Sequence, residues 1–186
     1  MPRIAPLDYE QMPADARAAH DGHLKIARIT NMKRTLLHSV PAFDALMTWY
    51  RLRDTVQPFL GERLTTLFAH AVSAETDCLI CSTFFRRILI DSGDDPDRLE
   101  MDEREAAVVA FGRALAQTPH RVPDALYDPV AAYFTDEQMV ALTAFGALMV
   151  ATNVINNVLQ VPLDDYLQPY RRHPAAAAAE GIGAHG

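Results

Sequence analysis

Signals that start and end helices recur along the whole chain, whereas runs with the alternating pattern of a strand are almost absent. Asp102-x-x-Glu105 and Thr135-x-x-Gln138 each have the form of a capping box. In such a box the first and fourth side chains satisfy backbone N–H groups that a helix start leaves unpaired. An apolar-rich stretch of helical periodicity follows each box. The sequence therefore predicts an all-α fold.

The remaining punctuation divides the chain into a bundle of about seven helices. Pro41 is compatible with the first turn of a helix, Pro58 marks a break, and Gly93 is a typical helix stop. We expect helices over about residues 32–37, 39–55, 61–74, 78–90, 102–116, 123–134 and 135–158, with a last short helix from Pro162.

Chain length and composition suit one globular domain with extensions at both ends. A chain of 186 residues with 49% apolar residues can bury about 70% of its unfolded surface without disulfide bonds. We expect residues 1–29 to form an N-terminal extension with a short helix, and residues 30–170 to form the domain. The alanine-rich segment 171–186 is expected to be a flexible tail.

The charge and the cysteine content bear on partners and compartment. A net charge of −7 argues against broad contact with nucleic acid or anionic lipid. The first residues lack the apolar run of a signal peptide, and two cysteines close in sequence are typical of a reducing cytoplasm. Residues 139–161 carry no charge and are long enough to span a bilayer, but they contain three asparagines and lack positive flanks. We expect a buried central helix and no membrane association.

The strongest candidate for chemistry is the cysteine pair in Cys78-Leu79-Ile80-Cys81. Three-residue spacing on a helix puts both sulfurs on one face, close enough to form a disulfide. Amide N–H groups at a helix start stabilise a thiolate and lower the thiol pKa. The pair could be redox-active, half of a zinc site, or two buried apolar side chains. No second cysteine pair or H-x-x-x-H accompanies it, so we predict neither a metal site nor a bound cofactor.

The residues around the pair resemble a known family. The stretch from Gly61 to Cys81 is similar to the core of the carboxymuconolactone decarboxylase and alkylhydroperoxidase D-like (AhpD-like) family. Residues 31–50, 101–116 and 153–167 resemble its flanking segments, so that the similarity covers about residues 30–170. The resemblance implies an AhpD-like helical domain that assembles into homo-oligomers. It also implies a dithiol that reduces peroxides or exchanges disulfides with a partner.

The resemblance also implies a proton relay, of which two positions differ here. Family members carry a glutamate at the position of Thr66 and a histidine at the position of Phe85, so the usual relay is missing. By the resemblance Cys81 attacks the peroxide and Cys78 resolves the intermediate. The helix dipole alone favours Cys78 as the more acidic thiol, and the order stays open.

His70 is the candidate for a substitute base. Glu62, Thr66 and His70 fall at i, i+4 and i+8, which is one stripe of one helix, and imidazole titrates near neutral pH. The alternative is a partly buried or surface histidine with no catalytic task. Asn153, Asn156 and Asn157 are unusual in an apolar helix, and could contact the pocket, another subunit or the helix end.

These features and the resemblance lead to three alternative functions. The first is a thiol–disulfide oxidoreductase, an alkylhydroperoxidase-like antioxidant protein whose Cys78 and Cys81 act on a peroxide or disulfide and are restored by an external dithiol. The second is a carboxymuconolactone decarboxylase-like lyase. The third is a non-catalytic oligomeric protein with a degenerate site.

Overall fold

The computed structural model describes residues 1–172, and all regular structure within them is helical. The all-α prediction is therefore confirmed, with more helices than the seven expected. The predicted tail lies outside the described residues from position 173 onward. Two short 3₁₀ helices cover Tyr9–Gln11 and Asp165–Tyr170, and the α-helices are α1 (Ala14–Leu24), α2 (Asn31–Leu36), α3 (Val40–Met47), α4 (Trp49–Leu60), α5 (Glu62–Glu75), α6 (Leu79–Asp91), α7 (Glu103–Ala116), α8 (Asp124–Ala131) and α9 (Asp136–Leu159).

The predicted helix over residues 39–55 is in fact two helices. Thr48 ends α3 and begins α4, and its Oγ1 donates a hydrogen bond to the carbonyl oxygen of Ala45 at 2.6 Å. The predicted break at Pro58 is wrong, because Pro58 lies inside the last turn of α4. One missing N–H is tolerated there, since Val56 and Leu60 on either side are buried and hold the turn in place.

Both predicted capping boxes are present, and they begin helices α7 and α9. Asp102 accepts a hydrogen bond from the Glu105 N–H at 2.8 Å at the start of α7. Thr135 Oγ1 accepts one from the Gln138 N–H at 3.3 Å at the start of α9. These bonds are local, which explains why the sequence predicts them correctly.

The centre of the core is Phe68 on α5, which is fully buried. Its ring stacks between Phe111 of α7, at a centroid distance of 6.4 Å, and Phe145 of α9, at 5.9 Å. Gly112 and Gly146 lie against the same ring, and a Cβ at Gly112 would come within 2.9 Å of it. Small residues on α7 and α9 therefore allow both helices to approach α5 closely, and α5 in turn packs on α6, which carries the cysteines.

Helix α9 has two different faces. It is long and apolar enough to cross a membrane by length and composition, with 39% of the apolar window buried. One face contributes Phe145 and Met149 to the core and packs on α4, α5 and α7. The other face carries an exposed apolar stripe at alternating spacings of four and three, formed by Val140, Ala144, Ala147, Ala151, Val154 and Val158. The homo-oligomer expected from the sequence stays a prediction, and this stripe is the apolar surface that supports it.

Candidate active site

A tight turn between α5 and α6 places Cys78 at the start of a helix. Asp77 adopts a left-handed backbone conformation with φ of +50°, which aspartate tolerates better than most residues. The N–H of Cys78 then donates to the carbonyl oxygen of Ser73 at 3.0 Å, closing the turn. Cys78 is the N-cap residue of α6, and Cys81 lies in the first turn of that helix. The first amide groups of a helix lack intrahelical partners, and those of Ile80 and Cys81 are directed at the Cys78 sulfur.

The two cysteines lie 3.7 Å apart, and both are free thiols. Cys78 is completely buried and Cys81 is 8% exposed. The side-chain amide of Asn156, on α9, points at both sulfurs, with Nδ2 3.7 Å from Cys78 Sγ and 3.4 Å from Cys81 Sγ. Among residues 1–172, Asn156 is the only side chain outside the pair that donates a hydrogen bond to either sulfur.

The surroundings separate the two thiols by acidity. A hydrogen bond from Cys81 is the largest cause that lowers the pKa of Cys78 to about 7, helped by the amide groups of Cys81 and Ile80 and by Asn156 against the effect of burial. The pKa of Cys81 is raised, because its thiol donates to Cys78 and because it is buried beside a developing thiolate. Cys78 is therefore the more acidic thiol of the pair, in agreement with the helix-dipole argument.

Two further asparagines, Asn153 and Asn157, connect α9 by hydrogen bonds to the turn that precedes Cys78. Asn153 Nδ2 donates to Thr76 Oγ1 at 2.7 Å, and Asn157 Nδ2 donates to the Thr76 carbonyl oxygen at 2.9 Å. Of the roles that the sequence left open, contact with the cysteines is observed for Asn156, whereas Asn153 and Asn157 contact Thr76. From the sequence Asn156 is notable only as a polar residue in an apolar helix, since the cysteines that it contacts lie more than seventy residues away.

We expect Asn156→Ala to raise the pKa of Cys78 from about 7 towards the ordinary value of 9.0. The substitution removes a hydrogen bond to the thiolate, and such bonds to charged groups contribute about 1.5–3 kcal/mol. Thiolate absorbance near 240 nm can be titrated in a Cys81→Ser background, where Cys78 is the only thiol and the serine hydroxyl replaces the Cys81 donor. Asn157→Ala is the matched control, because Asn157 contacts Thr76 and not sulfur. Equal titration midpoints in both variants would contradict this role of Asn156.

A cavity of about 360 Å³ lies next to Cys81. Its walls are mainly apolar and aromatic, and include Trp49, Phe84, Phe85 and Met149. The Trp49 ring lies 6.3 Å from that of Phe85, and its Nε1 donates to Met149 Sδ at 2.7 Å. Cys81 lines this cavity and Cys78 does not, so a molecule in the cavity meets the second cysteine first.

No ionisable side chain stands at either predicted relay position. Phe85 is buried in the cavity wall, and its ring packs edge-on against Phe84 at 5.2 Å. Thr66 is buried in α5, where its hydroxyl donates to the carbonyl oxygen of Glu62 at 3.0 Å. Position 85 is therefore part of an apolar wall, and position 66 is satisfied within its own helix.

The environment of His70 differs from that of the cysteines, because its neighbours are charged side chains. Burial is the main cause that lowers its pKa to about 4, and the nearby cations Arg86 and Arg113 act in the same direction while Asp97 opposes them. No hydrogen bond joins His70 to either sulfur among residues 1–172, and His70 is not in the wall of the cavity next to Cys81. The structure thus brings together Cys78, Cys81 and Asn156 but not His70, whose role as a base stays a hypothesis.

The surroundings of the cysteine pair contain few side chains that bind metals. Within residues 1–172 no group of three or more histidine, cysteine, aspartate or glutamate side chains is arranged to hold an ion. The cysteine pair of this part of the chain therefore has sulfur and amide neighbours rather than further metal ligands.

No protein-family profile and no curated protein matches the sequence. The fold, in contrast, matches solved structures. The debrominase Bmp8 superposes with a TM-score of 0.73 and 16% identity, over 90% of this chain and 95% of that one. The AhpD core of an uncharacterized peroxidase-related protein from Ralstonia eutropha JMP134 gives 0.71 and 20%, over 89% and 94%. A cysteine-to-alanine variant of Bmp8, solved with 2,3,4-tribromopyrrole, gives 0.72 and 16%, over 90% and 94%. The chain thus has the AhpD-like fold that the resemblance implied.

Proposed function

We propose that this chain, which has the AhpD-like fold, is a dithiol oxidoreductase that reduces an organic hydroperoxide with Cys78 and Cys81. The observation that carries the proposal is a pair of free thiols 3.7 Å apart, of which Cys78 is acidified and Cys81 lines a mainly apolar cavity. Neutral thiols react slowly, so a thiolate near neutral pH beside a second thiol supports redox chemistry over a packing role.

The two sulfurs can divide the acid and base work between them. Cys78, as thiolate, accepts the proton of Cys81 through their shared hydrogen bond, and the Cys81 thiolate that results faces the cavity. Attack of Cys81 on the distal peroxide oxygen breaks the O–O bond, and the alkoxide leaves with the proton that Cys78 now holds. This division of labour needs no residue at positions 66 and 85, where the relay is missing.

The second half of the cycle forms the disulfide. The Cys78 thiolate attacks the sulfur of the Cys81 sulfenic acid, an S–S bond forms, and hydroxide leaves to take a proton from solvent. One hydroperoxide has then become one alcohol and one water, and two thiols have become one disulfide. An external dithiol reduces the disulfide by exchange and restores the pair.

We expect one equivalent of cumene hydroperoxide to convert both thiols of the reduced protein into a disulfide. Thiol counting should fall from two per chain to none, the mass should fall by two hydrogens, and dithiothreitol should reverse both changes. Two unreacted thiols would contradict the proposal and favour the non-catalytic alternative. Decarboxylation of a lactone acid with both thiols intact would favour the lyase.

A second candidate function is reductive debromination. The wall of the cavity is aromatic, as suits a flat ring, and the fold is also that of Bmp8, which is described as a debrominase. In this reaction one aryl bromide and two thiols become one arene, one disulfide, bromide and a proton. Bromide release from 2,3,4-tribromopyrrole, measured with the same thiol count, distinguishes it from peroxide reduction.

A further inference from the structure

Lys33 is a buried cation in the wall of the cavity that Cys81 lines. It is 4% exposed, and its Nζ donates to the carbonyl oxygen of Arg28 at 2.6 Å and to the hydroxyl of Tyr50 at 2.8 Å. An ammonium group has three N–H donors, so one remains for another acceptor. Among residues 1–172 no carboxylate forms an ion pair with Lys33.

The cavity around this ammonium group has a positive balance of charge. Arg28, Lys33 and Arg87 line it, and Asp164 is the single carboxylate in the same wall. Arg87 is paired with Asp91 at 3.1 Å, and Arg28 lies over the Tyr166 ring at 4.4 Å. The Asp164 carboxylate accepts the Asn31 N–H at 2.9 Å, and burial raises the pKa of Asp164.

Burying an unpaired ammonium group is costly in free energy, and the cost falls when an anion comes into contact with it. Desolvation lowers the pKa of Lys33 to about 8, although the charge of Asp164 acts in the opposite direction, and a pKa of about 8 leaves Lys33 mostly charged at neutral pH. The rest of the wall includes the aromatic side chains of Trp49, Phe84 and Phe85, which can pack against a ligand in the cavity.

We infer that the cavity binds a ring-bearing organic monoanion, whose charged group is held by Lys33 and Tyr50 while its apolar ring lies among the aromatic side chains beside Cys81. The inference rests on the proposed function for its chemistry, because it names the class of substrate that this dithiol site takes. Lys33 and Tyr50 orient the molecule so that its reactive part reaches the Cys81 sulfur, and they do not themselves react.

The sole tryptophan of the chain, Trp49, makes binding directly measurable. Two matched probes differ in one charged group: 8-anilinonaphthalene-1-sulfonate, an anion, and N-phenyl-1-naphthylamine, the same rings without the sulfonate. Energy transfer from Trp49 reports that either probe is bound, and the variants of cavity residues assign the binding to this cavity. We expect Lys33→Met to weaken the anionic probe at least about tenfold, and to change the neutral probe by less than about threefold.

Three further variants keep the test decisive. Lys33→Arg should retain the affinity for the anionic probe. Tyr50→Phe should weaken that affinity without affecting the affinity for the neutral probe. Lys25→Met should change neither affinity, since Lys25, the other lysine of the chain, is exposed. Thermal melting confirms that each variant is folded. Equal loss of both probes in Lys33→Met with no recovery in Lys33→Arg would overturn the inference, as would an unchanged anion affinity.

This binding readout does not depend on turnover. Loss of the charge preference with intact peroxide reduction would overturn the inference alone. Retention of the charge preference with thiols that resist oxidation would overturn the proposed function and leave the binding site standing.

Discussion

Serine at either cysteine position is expected to abolish catalytic turnover of cumene hydroperoxide, with a loss of at least about a thousandfold in rate. A serine hydroxyl is not ionised at neutral pH, and it can neither attack the peroxide effectively nor close a disulfide. Turnover can be followed as hydroperoxide consumed in excess dithiothreitol. Ser92→Ala, an exposed position beyond the end of α6, serves as the control.

The two single variants should nevertheless differ in their first turnover. Cys78→Ser keeps the thiol that lines the cavity, so a sulfenic acid should form on Cys81 and react with dimedone, although slowly because its base has been removed. Cys81→Ser keeps the more acidic thiolate, but Cys78 is completely buried and outside the cavity wall, so little dimedone adduct is expected. The reverse pattern of labelling would assign the attack to Cys78 and contradict the order proposed above.

Phe68→Ala is expected to cost about 3–5 kcal/mol in free energy of unfolding, which is large against the stability of a typical domain. The ring is fully buried and fills the space between Phe111 and Phe145, where Gly112 and Gly146 offer no side chains to take its place. Urea unfolding followed by circular dichroism measures the change. A cavity at this position also loosens the packing of α5, against which α6 is held.

Tyr133→Ala is the control for truncation of an aromatic side chain, because Tyr133 is 46% exposed and its loss should change stability by no more than about 0.5 kcal/mol. A cost below about 1 kcal/mol for Phe68→Ala would mean that α7 and α9 collapse onto the vacated space. The closely packed centre described here would then be incorrect.

Local features of the sequence were sufficient to predict most of the helices and the cysteine pair. Capping boxes at Asp102 and Thr135, and the spacing of Cys78 and Cys81, depend on atoms within four residues, so they are legible without knowledge of the fold. The division at Thr48 was missed, because neither proline nor glycine marks it in the sequence. The continuation through Pro58 was missed, because packing of Val56 and Leu60 outweighed a local break signal.

The chemistry of the site could be predicted only in part from the sequence, since some side chains that contact the sulfurs or line the cavity are distant in sequence. The cysteines were evident, and the hydrogen bond between them is the first cause of their different acidities. Asn156, which donates to both sulfurs, comes from another helix. The stripe through Thr66 suggested His70 as a base, yet periodicity gives only the face of a helix and not what packs against it. In the folded chain His70 is largely buried, and burial, followed by the charges of Arg86 and Arg113, lowers its pKa.

The sequence by itself determined that the chain is helical, where most helices begin, and that two thiols share the first turn of one of them, because these properties arise from short-range hydrogen bonds and from 3.6-residue periodicity. Only the tertiary structure decided that α9 carries Asn156 to the sulfurs, and that Lys33 and Trp49 border one cavity with Cys81. Those arrangements result from the packing of large buried side chains such as Phe68 against glycines on neighbouring helices, and close packing is a property of the whole core.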